Sequence, residues 1–224
     1  GNQYVMHWPY KQPKTSRNQK LLPYHDHLKN QGACFGQVAG FERPMWYALN
    51  GDKPEYKYSF GYQNWFKSAE YETKNARTNV AFFELSPFAK YEIEGEDSYS
   101  SLQYLCSNNI KNTPGSTTYT QMLNEKGGIE ADLTVTCLSK NKFRVVTGSG
   151  VREHDKKHIL KHIKTSLNFV DVTDNLSCFG IFGPKSRILL NDLLVNSSWL
   201  NAMGGGPGNP QDPMEGNPRE SRDP

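Results

Sequence analysis

Asp132 is the residue whose type and setting best suit chemistry. It lies in the stretch Tyr119 to Thr136, YTQMLNEKGGIEADLTVT. Tyr119, Gln121 and Leu123 alternate with Thr120, Met122 and Asn124. After Gly127-Gly128, Ile129, Ala131, Leu133 and Val135 alternate with Glu130, Asp132, Thr134 and Thr136. Period two predicts two strands, and the glycines supply the backbone freedom of a tight hairpin turn. Asp132 then leaves the sheet on the face opposite its apolar neighbours. A carboxylate on a stiff strand holds its geometry better than one on a loop. On spacing alone, the competing reading is a solvated charge on a strand.

Other residues invite chemistry less strongly. His154, His158 and His162 fall at i, i+4 and i+8, a stripe on one helix face. A His-x-x-x-His pair can bind zinc, but Lys156, Lys157, Lys161 and Lys164 share the helix, and a solvated basic face is the preferred reading. His25 and His27 flank Asp26 at a spacing that suits neither one helix face nor a ligand set. Cys34, Cys106, Cys137 and Cys178 form no CxxC pair, which favours free, mostly buried thiols and no metal. Gly148 to Glu153, GSGVRE, begins like a nucleotide fingerprint, but Glu153 occupies the third glycine position and the surroundings do not read as βαβ.

These candidates must be positioned by 224 residues carrying a net charge of +3, 36% hydrophobic, with a mean hydropathy of -0.74. One or two domains fit that length. No apolar run is long enough to span a bilayer, and no basic-then-apolar leader follows Gly1. Residues 1–20 carry Lys11, Lys14, Arg17 and Lys20 without an acid, interleaved with Tyr4, Trp8 and Tyr10. They are read as a connecting segment and not as a nucleic-acid arm, because Pro9 and Pro13 stiffen a stretch that holds no binding motif. From residue 78 the pattern predicts strands at 80–83, 88–94, 143–147, 169–172 and 178–182 besides the hairpin. Helices are predicted after Glu96-Asp97, with Leu102, Leu105 and Cys106 inside; over 152–164, with Ile159, Leu160 and Ile163 apolar; and after Gly183-Pro184, with Ile188, Leu189, Leu193 and Leu194 as its buried face. Hairpins mixed with helices argue α+β with a largely antiparallel sheet. From Gly204 the chain is rich in Pro and Gly, without hydrophobic period, and reads as a disordered tail.

The hairpin stretch resembles the folate-binding domain of aminomethyltransferases, the T-protein of the glycine cleavage system. It resembles more closely the C-terminal half of FAD-dependent dimethylglycine and sarcosine dehydrogenases. Residues 21–77, with a short helix at His27 to Gln31, a glycine-rich turn at Gly32 to Gly40 and the Glu42-to-Trp46 element, resemble the connecting module of the same dehydrogenases.

The resemblance implies an α+β fold with a ferredoxin-like substructure, spanning residues 78–203 as a partial, truncated folate-binding domain. It makes Asp132 the catalytic acid and carries Phe88, Tyr119 and Val146 over as folate-pocket residues. Ala131 stands where the T-protein often has a second acid, and Glu84 where the family usually has Asp. The implied cofactors are tetrahydrofolate and, in a parent enzyme, FAD bound outside this chain. The implied function is capture of an oxidised N-methyl group as 5,10-methylenetetrahydrofolate, in the bacterial cytoplasm or the mitochondrial matrix. The implied partners are folate, a small N-methyl amine and the parent enzyme's remaining domains, with no nucleic acid or membrane; the fragment by itself is expected to be inactive. The rival is a non-catalytic module, since the regulatory subunit of pyruvate dehydrogenase phosphatase resembles the same family. Retention of Asp132 within QMLNEKGGIEADLTV favours the enzyme.

Overall fold

The structure, a computed structural model, describes residues 11–196, and side chains as far as residue 194. The expectation of a disordered tail from residue 204 lies outside the described residues. The chain runs α1 (His25–Asn30), β1 (Ala33–Val38), β2 (Phe41–Tyr47), α2 (Phe66–Thr78), β3 (Ala81–Glu84), β4 (Ala89–Glu94), α3 (Ser98–Leu105), β5 (Thr117–Leu123), β6 (Ile129–Ser139), β7 (Lys142–Thr147), α4 (Arg152–His162), β8 (Asn168–Asp171), β9 (Phe179–Phe182) and α5 (Ser186–Asn196). Among the described residues these strands form two antiparallel pairs, β1-β2 and β3-β9, and a five-stranded sheet ordered β5-β6-β7-β4-β8, antiparallel throughout. This is the α+β, largely antiparallel architecture that the sequence pattern predicts.

Alternation builds the core. Ala89, Tyr91 and Ile93 of β4, Phe143 and Val145 of β7, and Ala131, Leu133, Val135 and Cys137 of β6 all point to one face and are buried. Leu102 and Leu105 of α3 and Ile159 of α4, followed by Ile163, close over that face. Tyr91 keeps its hydroxyl satisfied inside by donating to the Arg152 carbonyl at 2.5 Å, as a buried phenol must. The opposite face is polar. Glu92 pairs across the sheet with Arg144 at 2.6 Å and with Lys142 at 2.9 Å, contacts worth a few tenths of a kcal/mol each that also discourage register slips.

Several local expectations change. The Gly127-Gly128 turn is a five-residue loop, 124–128, closed by the Asn124 carboxamide oxygen, which accepts from the Lys126 and Gly128 amides at 3.0 and 2.9 Å. Only Gly127 needs a left-handed conformation, with φ +78°. Gly32 to Gly40 is mainly strand β1, with Ala39-Gly40 making the turn into β2. Helix α2 has no clear apolar stripe, which is why periodicity misses it; it is fastened to β2 by the Tyr47 amide donating to Glu72 at 2.8 Å. Asp97 lies just before α3, and its carboxylate pairs with Lys164 at 2.8 Å and does not cap the helix. Leu160 is exposed, because the α4 residues facing the sheet are Asp155 and Ile159, followed by Ile163 just past the helix end.

The largest correction concerns α5. Ile188, Leu189, Leu190, Leu193 and Leu194 are 39–61% exposed, so the buried face predicted for this helix is not buried within the described chain. Its start is nonetheless well anchored. Gly183 has φ +113°, and a Cβ there would sit 2.3 Å from the Asn79 carbonyl oxygen. Lys185 also donates to the Asn79 side chain at 2.8 Å. An apolar face of this kind seeks cover.

The 224-residue chain should therefore bind a hydrophobic reporter dye or self-associate. Replacing Ile188 and Leu193 with Gln should reduce both while changing stability by no more than about 0.5 kcal/mol, whereas Phe143→Ala should cost about 3–5 kcal/mol. Sedimentation combined with chemical denaturation reads both quantities. A loss above about 1 kcal/mol from the double substitution would show that α5 is already packed in solution.

Candidate functional site

The five-stranded sheet leaves one face open beside β5, β6 and β7, and the sequence-predicted residues gather there. The registers β5-β6, β6-β7 and β4-β7 place Tyr119, Thr134, Val146 and Lys90 in one row across four strands. Asp132 is one pleat along β6, opposite Gln121. It is exposed, and its Oδ1 accepts from Gln121 Nε2 at 3.4 Å. The Tyr119 phenol is 59% exposed. Its pKa is raised, chiefly by the neighbouring Asp132 carboxylate. Two side chains from β5 thus bracket one carboxylate from β6, all on paired strands.

Phe88 lies one residue before β4, at the β4 end of the row, and is 37% exposed. Its carbonyl accepts from the Lys90 ammonium at 2.8 Å, and Ser86's does so at 2.9 Å. Lys90 is only 3% exposed, and burial lowers its pKa. Sequence reasoning passes over this lysine, since alternation reads it as an outward charge. The available signal is its place two residues beyond Phe88 in SPFAK. The neighbouring corner holds Glu84, 5% exposed, whose Oε1 accepts from the Ser86 amide at 3.2 Å. Glu84 Oε2 has no hydrogen-bond partner among the described residues.

The histidine stripe is not simply a solvated face. His158, Lys161 and His162 line a cleft of about 710 Å³ between the end of α3, the 124–128 loop and α4. Burial and the neighbouring His162 lower the His158 pKa. His154 Nδ1 lies 2.9 Å from Asp155 and its Nε2 3.2 Å from Glu130. Asp155 is fully buried and also accepts from the Thr147 hydroxyl. His154 therefore links α4 to β6 near the hairpin loop. Among the described residues, no group of three or more His, Cys, Asp or Glu side chains is arranged to hold a metal ion. Cys34, Cys106 and Cys137 are buried free thiols, with burial pushing Cys106 up to about 12. The Gly148-to-Glu153 segment leads from β7 into α4, and β4 lies between β7 and β8, so the adjacent parallel strands of a nucleotide-binding βαβ unit are missing.

A flat, amine-rich heterocycle such as the pterin of tetrahydrofolate needs an apolar wall and a carboxylate to accept its N–H groups. The Tyr119, Val146 and Asp132 surface offers both.

Two titrations test these contacts. Asp132→Asn removes the charge that opposes phenolate formation, so the Tyr119 pKa should fall towards its ordinary value, as read by carbon NMR of the phenol ring. The hydrogen bond to Asp155, with the Asp155 and Glu130 charges, raises the His154 pKa above 6.5. Protonated His154 then stabilises the fold fully below about pH 6.5, its ordinary value, and that contribution is lost as pH rises through the folded-state pKa. Glu130→Gln should lower the His154 pKa and flatten that part of the stability profile, measured by denaturation between pH 5 and pH 9, about two units either side of neutrality.

Comparison with known proteins follows the same lines. The family model for the GCVT N-terminal domain matches residues 24–203. A 4-methylaminobutanoate oxidase (formaldehyde-forming) from Paenarthrobacter nicotinovorans is 41% identical over 192 residues, covering 85% of this chain and 23% of that protein. Mitochondrial dimethylglycine dehydrogenase from Homo sapiens is 36% identical over 189 residues, covering 81% of this chain and 22% of that protein. The chain thus spans under a quarter of the length of these relatives. The solved aminomethyltransferase T of the glycine cleavage system from Bartonella henselae shares the fold, with a TM-score of 0.63 at 23% identity over 77% of this chain and 43% of that one. No helix among the described residues is long and apolar enough to cross a membrane. The match over residues 24–203 shows that this chain belongs to the GCVT N-terminal domain family of aminomethyltransferases, homologous to the T-protein-like region of N-methyl amine dehydrogenases.

Proposed function

We propose that this chain is the tetrahydrofolate-binding, one-carbon-transfer portion of an FAD-dependent N-methyl amine dehydrogenase of the dimethylglycine or sarcosine type. The observation that carries the reading is Asp132, exposed on paired strand β6 and bracketed by Tyr119 and Gln121 on the open face of the sheet. Bound tetrahydrofolate supplies the amine nucleophiles that take up the oxidised methyl carbon as 5,10-methylenetetrahydrofolate, and FAD elsewhere in the parent accepts the electrons. Asp132 accepts hydrogen bonds from the folate amine region, orients it and stabilises cationic character as the carbon is captured. Tyr119 and Val146 supply the wall beside it, and Phe88 bounds the row at β4. A carboxylate on a rigid ladder acts with little reorganisation, which is what such stabilisation requires.

The non-catalytic alternative needs no exposed acid at this place, and the bracketed Asp132 weighs against it. Residues 21–77 are read as the module connecting to the flavin part, and 78–203 as the partial folate-binding domain; the family match beginning at residue 24 runs across that division. The substrate class is a small N-methyl amine, and the location is the bacterial cytoplasm or the mitochondrial matrix.

The test uses the full-length protein. Calorimetry should show tetrahydrofolate binding there and weak or no binding to the 224-residue chain. Asp132→Ala should leave flavin reduction intact and shift the product from 5,10-methylenetetrahydrofolate to free formaldehyde, with capture reduced by a factor of about 10² to 10³. An unchanged yield of the folate product would remove Asp132 from the mechanism. Equal formaldehyde release by the wild type with and without tetrahydrofolate would sink the capture reading itself.

A further inference from the structure

The basic segment near the N-terminus does more than connect. Residues 11–18 fold back on β1 and β2 and form one wall of a cleft of about 530 Å³, with α1 and β1 opposite. The segment is held firmly. Gln12 is 8% exposed; its amide donates to the Tyr58 hydroxyl at 2.7 Å, and its side chain accepts from the Gln37 amide at 2.8 Å. Ser16 and Asn18 both adopt left-handed backbone, with φ +57° and +59°, unusual for two non-glycine residues so close together.

The cleft is lined by the cationic side chains of Lys11, Lys14, Arg17 and Lys29 and by the carboxylates of Glu42 and Glu55. Arg17 is consumed by Glu42, which is 1% exposed and accepts from its guanidinium at 2.5 and 2.7 Å and from the Asn18 amide at 2.8 Å. Glu55 pairs with Lys57 at 3.4 Å. Lys11, Lys14 and Lys29 line the same cleft and have no carboxylate partner among the described residues. Three ammonium groups around one concavity repel each other, and an anion seated among them relieves that repulsion.

A second observation points the same way. His25, at the start of α1, also lines the cleft and is 9% exposed. Its ring leans on Phe35, with centroids 4.2 Å apart. Its Nδ1 is buried and has no hydrogen-bond partner among the described residues. A buried ring nitrogen left unpaired is unfavourable. Beside it, Tyr56 and Tyr58 stack at 5.7 Å with rings 5° from parallel, giving the cleft an aromatic wall.

We propose that this cleft binds a small molecule carrying a phosphate-type dianion, held by Lys11, Lys14 and Lys29, with the His25 ring lining the same cleft. A dianion answers several ammonium donors at once, and charge-assisted bonds of this kind are stronger than neutral ones. The site lies on the β1-β2 unit, away from Asp132, and does not depend on the folate reading.

The 224-residue chain is titrated with inorganic phosphate, with phenyl phosphate and, at matched ionic strength, with chloride, while NMR follows the His25 imidazole. A saturable His25 shift with phosphate identifies the free ion as sufficient. A saturable shift with phenyl phosphate alone, or tighter binding of it, identifies an aromatic phosphate ester. The double variant Lys14→Ala/Lys29→Ala, whose side chains are exposed and whose fold is checked by near-ultraviolet circular dichroism, should weaken binding about tenfold or more. A linear response to both phosphates, an equal response to chloride, or an unchanged affinity in the folded double variant would overturn the proposal.

Discussion

The structure depends on one constraint, the two-residue pleat of the five-stranded sheet with only one face covered by helices. Tyr91, Ile93 and Phe143 are wholly buried on the covered face, and each aromatic or aliphatic group of that size gains about 1.5–3 kcal/mol from leaving water. Slipping any of these strands by one residue would trade that set for Glu92, Glu94 and Arg144. The register is therefore strongly specified. Asp132, Tyr119 and Val146 do little to stabilise the sheet, yet their positions follow from it, because they are the residues left over when the apolar partners are placed.

Buried polar groups join the helices to this frame. Asp155 is fully buried but has two partners, the Thr147 hydroxyl on β7 and the His154 ring, which also reaches Glu130 on β6. Further along, Arg152 opens α4 and pairs with Asp171 at 2.9 Å, while Asp171 accepts from the Thr173 hydroxyl at 2.6 Å. Thr173 in turn accepts from the Lys90 amide at 3.0 Å. Satisfied networks of this kind favour one arrangement over near alternatives, because every partial rearrangement strands a buried charge or hydroxyl. The chain from α4 through β8 to Lys90 ends on the two carbonyls beside Phe88, so helix docking and the geometry of that corner are mechanically linked.

The smaller β1-β2 unit is held by different means. Its centre is the Arg17–Glu42 pair, with Glu42 almost fully enclosed. The Glu42 pKa is lowered, first by its hydrogen bond to Arg17 and further by the Asn18 amide. Removing either partner would leave an uncompensated buried charge, a far larger penalty than losing a surface pair. Rings support the unit as well, with Trp46, Tyr56 and Trp65 in edge contact. An ion pair and aromatic packing here fill the role that aliphatic alternation fills in the large sheet.

Alternation in the sequence determined the strands β3 to β9 to within a residue or two, save that β6 runs three residues past Thr136 to Ser139, together with the helices α3 and α4 and the face on which Asp132 emerges. Those features are local: period two, period 3.6 and turn residues act within a dozen positions. The pairing order β5-β6-β7-β4-β8 and the row from Tyr119 to Lys90 were decided only by tertiary structure, since they join residues far apart in the chain. Lys90 shows the difference most clearly. Its place in the strand marks it as outward and solvated, and the Ser86–Phe88 segment folding over it makes it buried. Helix α5 shows the converse. Its apolar spacing marks a buried face, but burial needs a second surface, and no stretch among the described residues supplies one. The Lys11, Lys14 and Lys29 cleft likewise exists only because residues 11–18 turn back onto β1, through contacts to Gln37, Glu42 and Tyr58 that no local pattern records.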